Sequence, residues 1–176
     1  FRSRFTLRQL LQHTSGLPDY AESDEYKAAV DRHEDPWSDD GLLGQISSTN
    51  PLFEPGQGWC YSNSGYFLVR RTLEQTSGMD IETLLKLLVL GPLGIKNSFM
   101  ARTRADLSKS TFGDEDNFHP GWVAHGLLLG PPSDIARFMH GLFSGALLSS
   151  SFLDAMTSRH PIEIDRPNRP WRTKGY

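Results

Sequence analysis

The chain holds a single cysteine, Cys60, so no internal disulfide can staple it, and sulfur gives no clue to its redox compartment. It has no excess of positive charge. Its 18 Lys and Arg stand against 21 Asp and Glu, a formal net charge of -3, which argues against general attraction to nucleic acid or anionic membrane. It has no long apolar run either: the longest, Leu84–Leu90, is interrupted by Lys86 and is far too short to span a bilayer. Its six histidines, His13, His33, His119, His125, His140 and His160, show neither H-x-x-x-H nor H-E-x-x-H spacing, so they are read as structural or surface residues and no metal is expected. The acidic run Asp114-Glu115-Asp116 lacks the ligand spacing of a calcium loop and reads as a solvated turn. No G-x-S-x-G elbow surrounds Ser15, which reads as a turn residue. No repeat or linker stands out.

What is present is the profile of an ordinary globular domain. The 176 residues are 38% apolar and 22% charged, enough for one real core and short for two. The mean hydropathy is -0.43. Pro and Gly together stay well below the level of low-complexity chains. The sequence opens on Phe1-Arg2-Ser3-Arg4, without Met or an apolar signal region, and closes on Thr173-Lys174-Gly175-Tyr176. Both ends read as cut, so a piece of a longer protein is expected, and localisation stays open.

Thr6-Leu7-Arg8-Gln9 is a capping box that predicts a short helix over 7–12, with Phe5 and Leu10 placed as a hydrophobic staple. A loop follows from His13 to Tyr20, punctuated by Gly16 and Pro18. Polar helices are expected over 24–32 and 39–47, and a loop from Asn50 to Asn63. A helix over 64–76 starts after the Ser62/Asn63 cap and stops at Gly78. Asp80 caps the next, where Ile81, Leu84, Leu85, Leu88 and Val89 keep helical spacing until Gly91-Pro92. Ser133 is expected to cap a helix carrying Ile135, Phe138, Met139, Leu142 and Phe143, with Gly145 beyond it. A short helix is expected near 151–157, and strands only around 99–101 and 123–129. The chain reads as mainly helical.

One loop concentrates chemistry. Tyr61 and Asn63 lie two residues apart at the entry of a helix. A phenol relays a proton if its surroundings favour the anion. A carboxamide both donates to and accepts from a substrate amide, and the helix N-terminus favours negative charge. Taken alone, the same residues read as a half-buried aromatic and a simple cap. His119-Pro120-Gly121-Trp122 offers a second possibility, an indole that stacks on a ligand in a cleft, although such a tryptophan more often packs a core. Cys60 reads as a small packing residue beside Tyr61, and a thiol there is open to an acylating reagent.

The segment Thr6-Leu7-Arg8-Gln9-Leu10-Leu11-Gln12-His13-Thr14-Ser15-Gly16-Leu17-Pro18 resembles a signature of the serine β-lactamase, penicillin-binding and related class C-like esterase family. Pro55-Gly56 followed by Tyr61-Ser62-Asn63-Ser64-Gly65-Tyr66 is similar to that family's Tyr-x-Asn element. Pro92-Leu93-Gly94-Ile95-Lys96-Asn97-Ser98 resembles its PLG turn, and Asp134-Ile135-Ala136-Arg137-Phe138 its D-hydrophobic-A-R-F helix start. All four occur in the family's order.

The resemblance implies that Tyr61 is the proton-transfer residue and that Asn63 contacts the substrate amide and a catalytic lysine. The family's nucleophile sits in a Ser-x-x-Lys motif, and none of the five lysines, Lys27, Lys86, Lys96, Lys109 and Lys174, has a serine three residues before it. A Lys-Thr-Gly or His-x-Gly strand is missing as well. The nucleophile is therefore expected outside this chain, and so are the strands of the flanking sheet.

The expectation is a mainly α chain: one helical domain over 1–176, the helical lobe of a β-lactamase/transpeptidase-like α/β serine hydrolase. The parent would be an enzyme acting through a covalent acyl-enzyme on an amide, β-lactam or ester, as a β-lactamase, D-Ala-D-Ala peptidase or esterase does. This chain alone would be inactive. The alternative is a non-catalytic helical ligand-binding or interaction module. Tyr61 and Asn63 are the expected catalytic residues, with Trp122 and His119 as candidate substrate contacts. No cofactor, metal, nucleic acid or membrane span is expected. Partners would be a small-molecule or peptidoglycan-like substrate in the parent and a second copy of the chain on an exposed apolar face. The resemblance suggests a periplasmic or extracellular setting, with a cytoplasmic one left open.

Overall fold

The computed structural model describes residues 5–111 and 117–158. The acidic run 114–116, His160 and the Lys174-Gly175 pair lie outside the described residues. Helix dominates: α1 (Leu7–Leu11), α2 (Asp24–Asp31), α3 (Asp39–Ser48), α4 (Asn63–Ser77), α5 (Ile81–Leu85), α6 (Arg104–Leu107), α7 (Pro132–Phe143) and α8 (Ser150–Thr157). Two short strands, β1 (Phe99–Ala101) and β2 (Leu127–Leu129), pair antiparallel with Met100 opposite Leu128. The chain divides into two compact units, and the division falls inside α4, after Arg71.

The first unit is built on caps. The Gln9 amide donates to Thr6 Oγ1 and the Thr6 amide to Gln9 Oε1, so the predicted capping box starts α1. The helix ends at Leu11 with Gln12 as its cap. His13 then turns left-handed (φ 58°), its amide donating to the Leu10 carbonyl and the Thr14 amide to that of Gln9. That pair of bonds is a Schellman closure. Helix α2 closes in the same way at His33 (φ 55°). The core of the unit gathers Leu10, Leu17, Tyr20, Ala29, Leu42, Ile46 and the fully buried Phe67. Asp39, in the first turn of α3, pairs with Arg70 and Arg71 on α4.

The second unit departs from expectation at three places. After α5 the chain makes one π turn over Lys86–Leu90, with the Gly91 amide bonded to Lys86 O. A π turn carries more residues than an α turn. The apolar stripe therefore slips: Leu84 and Leu90 are buried, while Leu88, expected inward, is 61% exposed.

Helix α7 begins two residues earlier than the Ser133 cap predicts. Pro131 is its N-cap and Pro132 its first residue, where a missing amide hydrogen costs nothing. Its buried face is Asp134, Gly141 and Leu142, so three residues of the expected stripe, Ile135, Met139 and Phe143, face solvent. The second strand covers only the end of the expected 123–129. Val123–Gly126 is a turn closed by the Gly126 amide on Val123 O, with Gly126 at φ 107°.

Candidate active site

Two loops that are distant in sequence are knitted together in the first unit. The Leu52 amide donates to Gly16 O, the Gly56 amide to Thr14 O and the Cys60 amide to His13 O. The loop after α1 and the loop before α4 thus run side by side. Gly16 makes this approach possible: it sits at φ 79°, and a Cβ there would lie 2.1 Å from the carbonyl oxygen of Phe53.

At the end of this seam the chain alternates. Ser62 and Ser64 point inward, at 1% and 0% exposure, while Tyr61 is 52% exposed. Ser62 Oγ accepts the Gly65 amide, as an N-cap of α4 does, and donates to Pro18 O. Ser64 Oγ donates to Pro18 O and accepts the Tyr20 amide. Both inward serines therefore grip the loop that follows His13. The two-residue spacing of Tyr61 and Asn63 has its physical cause here, because buried anchors and outward-facing side chains take alternate positions.

The outward groups form a chain of hydrogen bonds. Tyr61 donates its hydroxyl to Asn63 Oδ1 at 3.2 Å, and Asn63 Nδ2 donates to Asp19 Oδ2 at 2.8 Å. Asp19 Oδ1 in turn accepts the Ala21 amide. A carboxylate only accepts, so the amide nitrogen of Asn63 must face Asp19 and its oxygen must face the phenol. Asn63 is thereby fixed in one orientation.

His13 lies against this chain. Its ring centroid is 4.5 Å from that of Tyr61 and 5.0 Å from that of Tyr66, and Trp59 meets it edge-on at 5.9 Å. Its Nδ1 accepts the Ser62 amide at 3.1 Å. Burial holds the His13 pKa below the ordinary histidine value, with the nearby Asp19 charge opposing it. Burial also raises the Tyr66 phenol, whose hydroxyl donates to Leu11 O, and Tyr61 adds to that rise.

Tyr61 and Asn63 are thus brought into direct contact. His13 and Asp19 join them, and their part was not read from the sequence. Both sit in the quoted segment from Thr6 to Pro18 or one residue beyond it, so the signal lay in that string and not in any spacing rule. Trp122 and His119 belong to the second unit. Trp122 is 3% exposed, as a core tryptophan is, and His119 Nδ1 accepts the Gly121 amide to start a 3-10 turn over Pro120–Trp122. Among the described residues no three His, Cys, Asp or Glu side chains gather as a metal site, and no helix is long and apolar enough to cross a membrane.

In the second unit the other two sequence motifs also meet. Asp134, 6% exposed, accepts the Asn97 amide at 3.2 Å and the Ser98 hydroxyl at 3.0 Å. This joins the PLG turn to the start of α7.

Known proteins agree with these motifs. The chain is 39% identical over 99 residues to penicillin-binding protein 4* of Bacillus subtilis (strain 168), a match covering 53% of this chain and 20% of that protein. The D-stereospecific amidohydrolase from Streptomyces sp. is 26% identical with a TM-score of 0.76, over 94% of this chain and 54% of that one. The D-amino acid amidase from Ochrobactrum anthropi SV3 is 25% identical with a TM-score of 0.67, over 90% and 49%. The chain spans about half the length of these solved relatives. A family model described as Beta-lactamase matches residues 2–176, and the chain belongs to the β-lactamase family of serine hydrolases and penicillin-binding proteins.

Proposed function

We propose that these residues form the helical lobe of an acyl-transferring serine hydrolase and carry the proton-transfer half of its active site. The observation that supports this most directly is the exposed Tyr61 phenol, hydrogen-bonded to an Asn63 whose orientation Asp19 fixes. Tyr61 would relay the proton between nucleophile and leaving group. Asn63 would present its amide to the substrate by giving up the Tyr61 contact, its Oδ1 then free to accept. Two of the solved relatives are named for amide chemistry, a D-stereospecific amidohydrolase and a D-amino acid amidase, which favours an amide over an ester or a β-lactam as the scissile bond. The nucleophile and its lysine would come from outside these 176 residues, and the chain alone would not turn over.

Intact-mass spectrometry tests this. The full-length protein and this chain are each incubated with a fluorescent penicillin and with a fluorophosphonate. An adduct on the full-length protein, lost on Tyr61→Phe and absent from this chain, is the expected result. An adduct on this chain, or none on either, overturns the reading.

We further propose self-association through Ile135, Met139 and Phe143 on α7, which are exposed and spaced to make one stripe. Light scattering should show a mass that rises with concentration and returns to the monomer value in Met139→Glu. A strictly monomeric chain at high concentration would remove this proposal.

A further inference from the structure

His13 is the one member of the cluster to which the proposed reaction gives no task, and its surroundings are the most constrained. We propose that His13 is a positioning residue for Tyr61: its neutral imidazole, anchored through Nδ1 on the Ser62 amide and laid against the Tyr61 ring, sets where the phenol stands, and protonation of that imidazole releases it. The inference rests on Tyr61 being the proton carrier.

The left-handed backbone at residue 13 does not carry the argument, because His33 occupies the same position after α2. What sets His13 apart is its side chain. The amide it accepts belongs to Ser62, the residue between Tyr61 and Asn63, so Nδ1 holds the backbone from which both working groups project. Tyr61 and Tyr66 cover the ring, and Trp59 closes its edge. Swinging the ring therefore disturbs the phenol directly.

The chemistry of imidazole makes this anchor conditional. A neutral ring with Nδ1 as acceptor must carry its proton on Nε2. When the ring is protonated, both nitrogens donate, and Nδ1–H meets the Ser62 N–H head to head. The bond to Ser62 is then lost and the turn 61–63 loses its anchor. Among the described residues, the titratable groups that touch the ring or act on its charge are Tyr61 on the loop before α4, Tyr66 on α4 and Asp19 on the loop after α1. Asp19 alone among them favours the cation, and burial outweighs it.

NMR titration of the 176-residue chain gives the test, since it needs no turnover. Long-range proton–nitrogen spectra should show His13 Nδ1 unprotonated and Nε2 protonated at neutral pH. As the pH falls below 6.5, the Ser62 amide and the Tyr61 ring resonances should move with the same midpoint as the His13 ring. In His13→Asn, an Asn Oδ1 can take over the Ser62 amide, and Asn tolerates the left-handed backbone. That variant should keep the Ser62 bond and lose the midpoint. His33→Asn should leave the midpoint untouched.

Tyr61 resonances that ignore the His13 titration, or that keep its midpoint in His13→Asn, overturn the proposal. Its failure is separable from that of the proton-carrier reading. Undiminished labelling of full-length Tyr61→Phe would defeat the latter and leave the His13–Tyr61 coupling in place. In the full-length protein, the labelling rate should fall about tenfold per pH unit below the His13 midpoint. In His13→Asn that limb should be gone.

Discussion

The two units solve the same problem, joining two sequence motifs distant in the chain, in opposite ways. In the second unit the joint is one buried carboxylate, Asp134, whose Oδ2 accepts both the Asn97 amide and the Ser98 hydroxyl. In the first unit the joint is spread over three backbone hydrogen bonds and two buried serines, and its polar side chains turn outward. A single buried polar lock holds a structure. A distributed seam keeps Tyr61 and Asn63 on its outer side, bonded to each other. The proposed chemistry is placed in the first unit for that reason.

The sharpest way to break the comparison is Gly16→Ala. The substitution forces a Cβ against the Phe53 carbonyl and keeps a residue with a side chain at φ 79°. The left-handed penalty and the overpacking together should cost about 2–5 kcal/mol, because the neighbouring atom is backbone and cannot swing away. Chemical denaturation read from residue-specific signals should place this loss in the first unit. A loss below roughly 1 kcal/mol would mean that the seam is not what holds the two loops.

The counterpart is Asp134→Ala, which strands the Asn97 amide and the Ser98 hydroxyl. Both bonds are part-buried and water can reach the stranded groups, so the loss should be about 1–2 kcal/mol. The loss should appear in the second unit. Asp134→Asn should cost less, since its oxygen still accepts while its amide nitrogen lacks an acceptor here. Equal losses for the two variants would show that charge, not hydrogen bonding, makes the lock.

A smaller effect is expected from Asp39→Ala in the first unit. Asp39 is partly exposed and faces Arg70 and Arg71, whose side chains are 15% and 28% exposed. Solvent screens such a pair, so a loss of about 1 kcal/mol is expected in denaturant titration. No loss would leave the fixing of α3 to its apolar contacts, Leu42 and Ile46.

The fold was legible in the sequence where local chemistry decides. The Thr6/Gln9 capping box, the Asp80 cap and the ends of α2, α3 and α4 follow from side chains within a few residues of each other. It was not legible where a neighbour decides. Nothing in Lys86–Leu90 announces a π turn. Ile135, Met139 and Phe143 have the spacing of a core face, yet the face that packs is the one around Asp134 and Gly141, where the missing side chain of the glycine admits a close neighbour. A Cβ on Gly141 would fall 2.2 Å from Leu93. The site divides likewise. Tyr61 and Asn63 were proposed from spacing and resemblance, whereas His13 and Asp19 sit 42 to 50 residues away from them in sequence, and only the folded seam brings them together.

The smallest effect separates the two units by pH. In the first unit His13 is held below its unfolded pKa of about 6.5 by burial. Between that folded pKa and 6.5 the unfolded chain binds more protons than the folded one, so stability rises with pH across this window and falls on acidification through it. In the second unit Asp80, Glu82 and Asp106 are held below the usual carboxylate range by hydrogen bonds, from Thr83, Lys86 and Lys109 first among them. Their contribution is present above an unfolded pKa of about 4 and is lost as the pH falls through the folded values. Screening keeps that contribution small, since Asp80 is exposed and Glu82 and Asp106 are only partly covered. Acid should therefore loosen the first unit before the second. Melting followed by residue-resolved NMR at a series of pH values measures the order, and His13→Asn should bring the two onsets together. If both units instead begin to weaken at the same pH in the unmodified chain, the neutral His13 is not what makes the seam acid-sensitive.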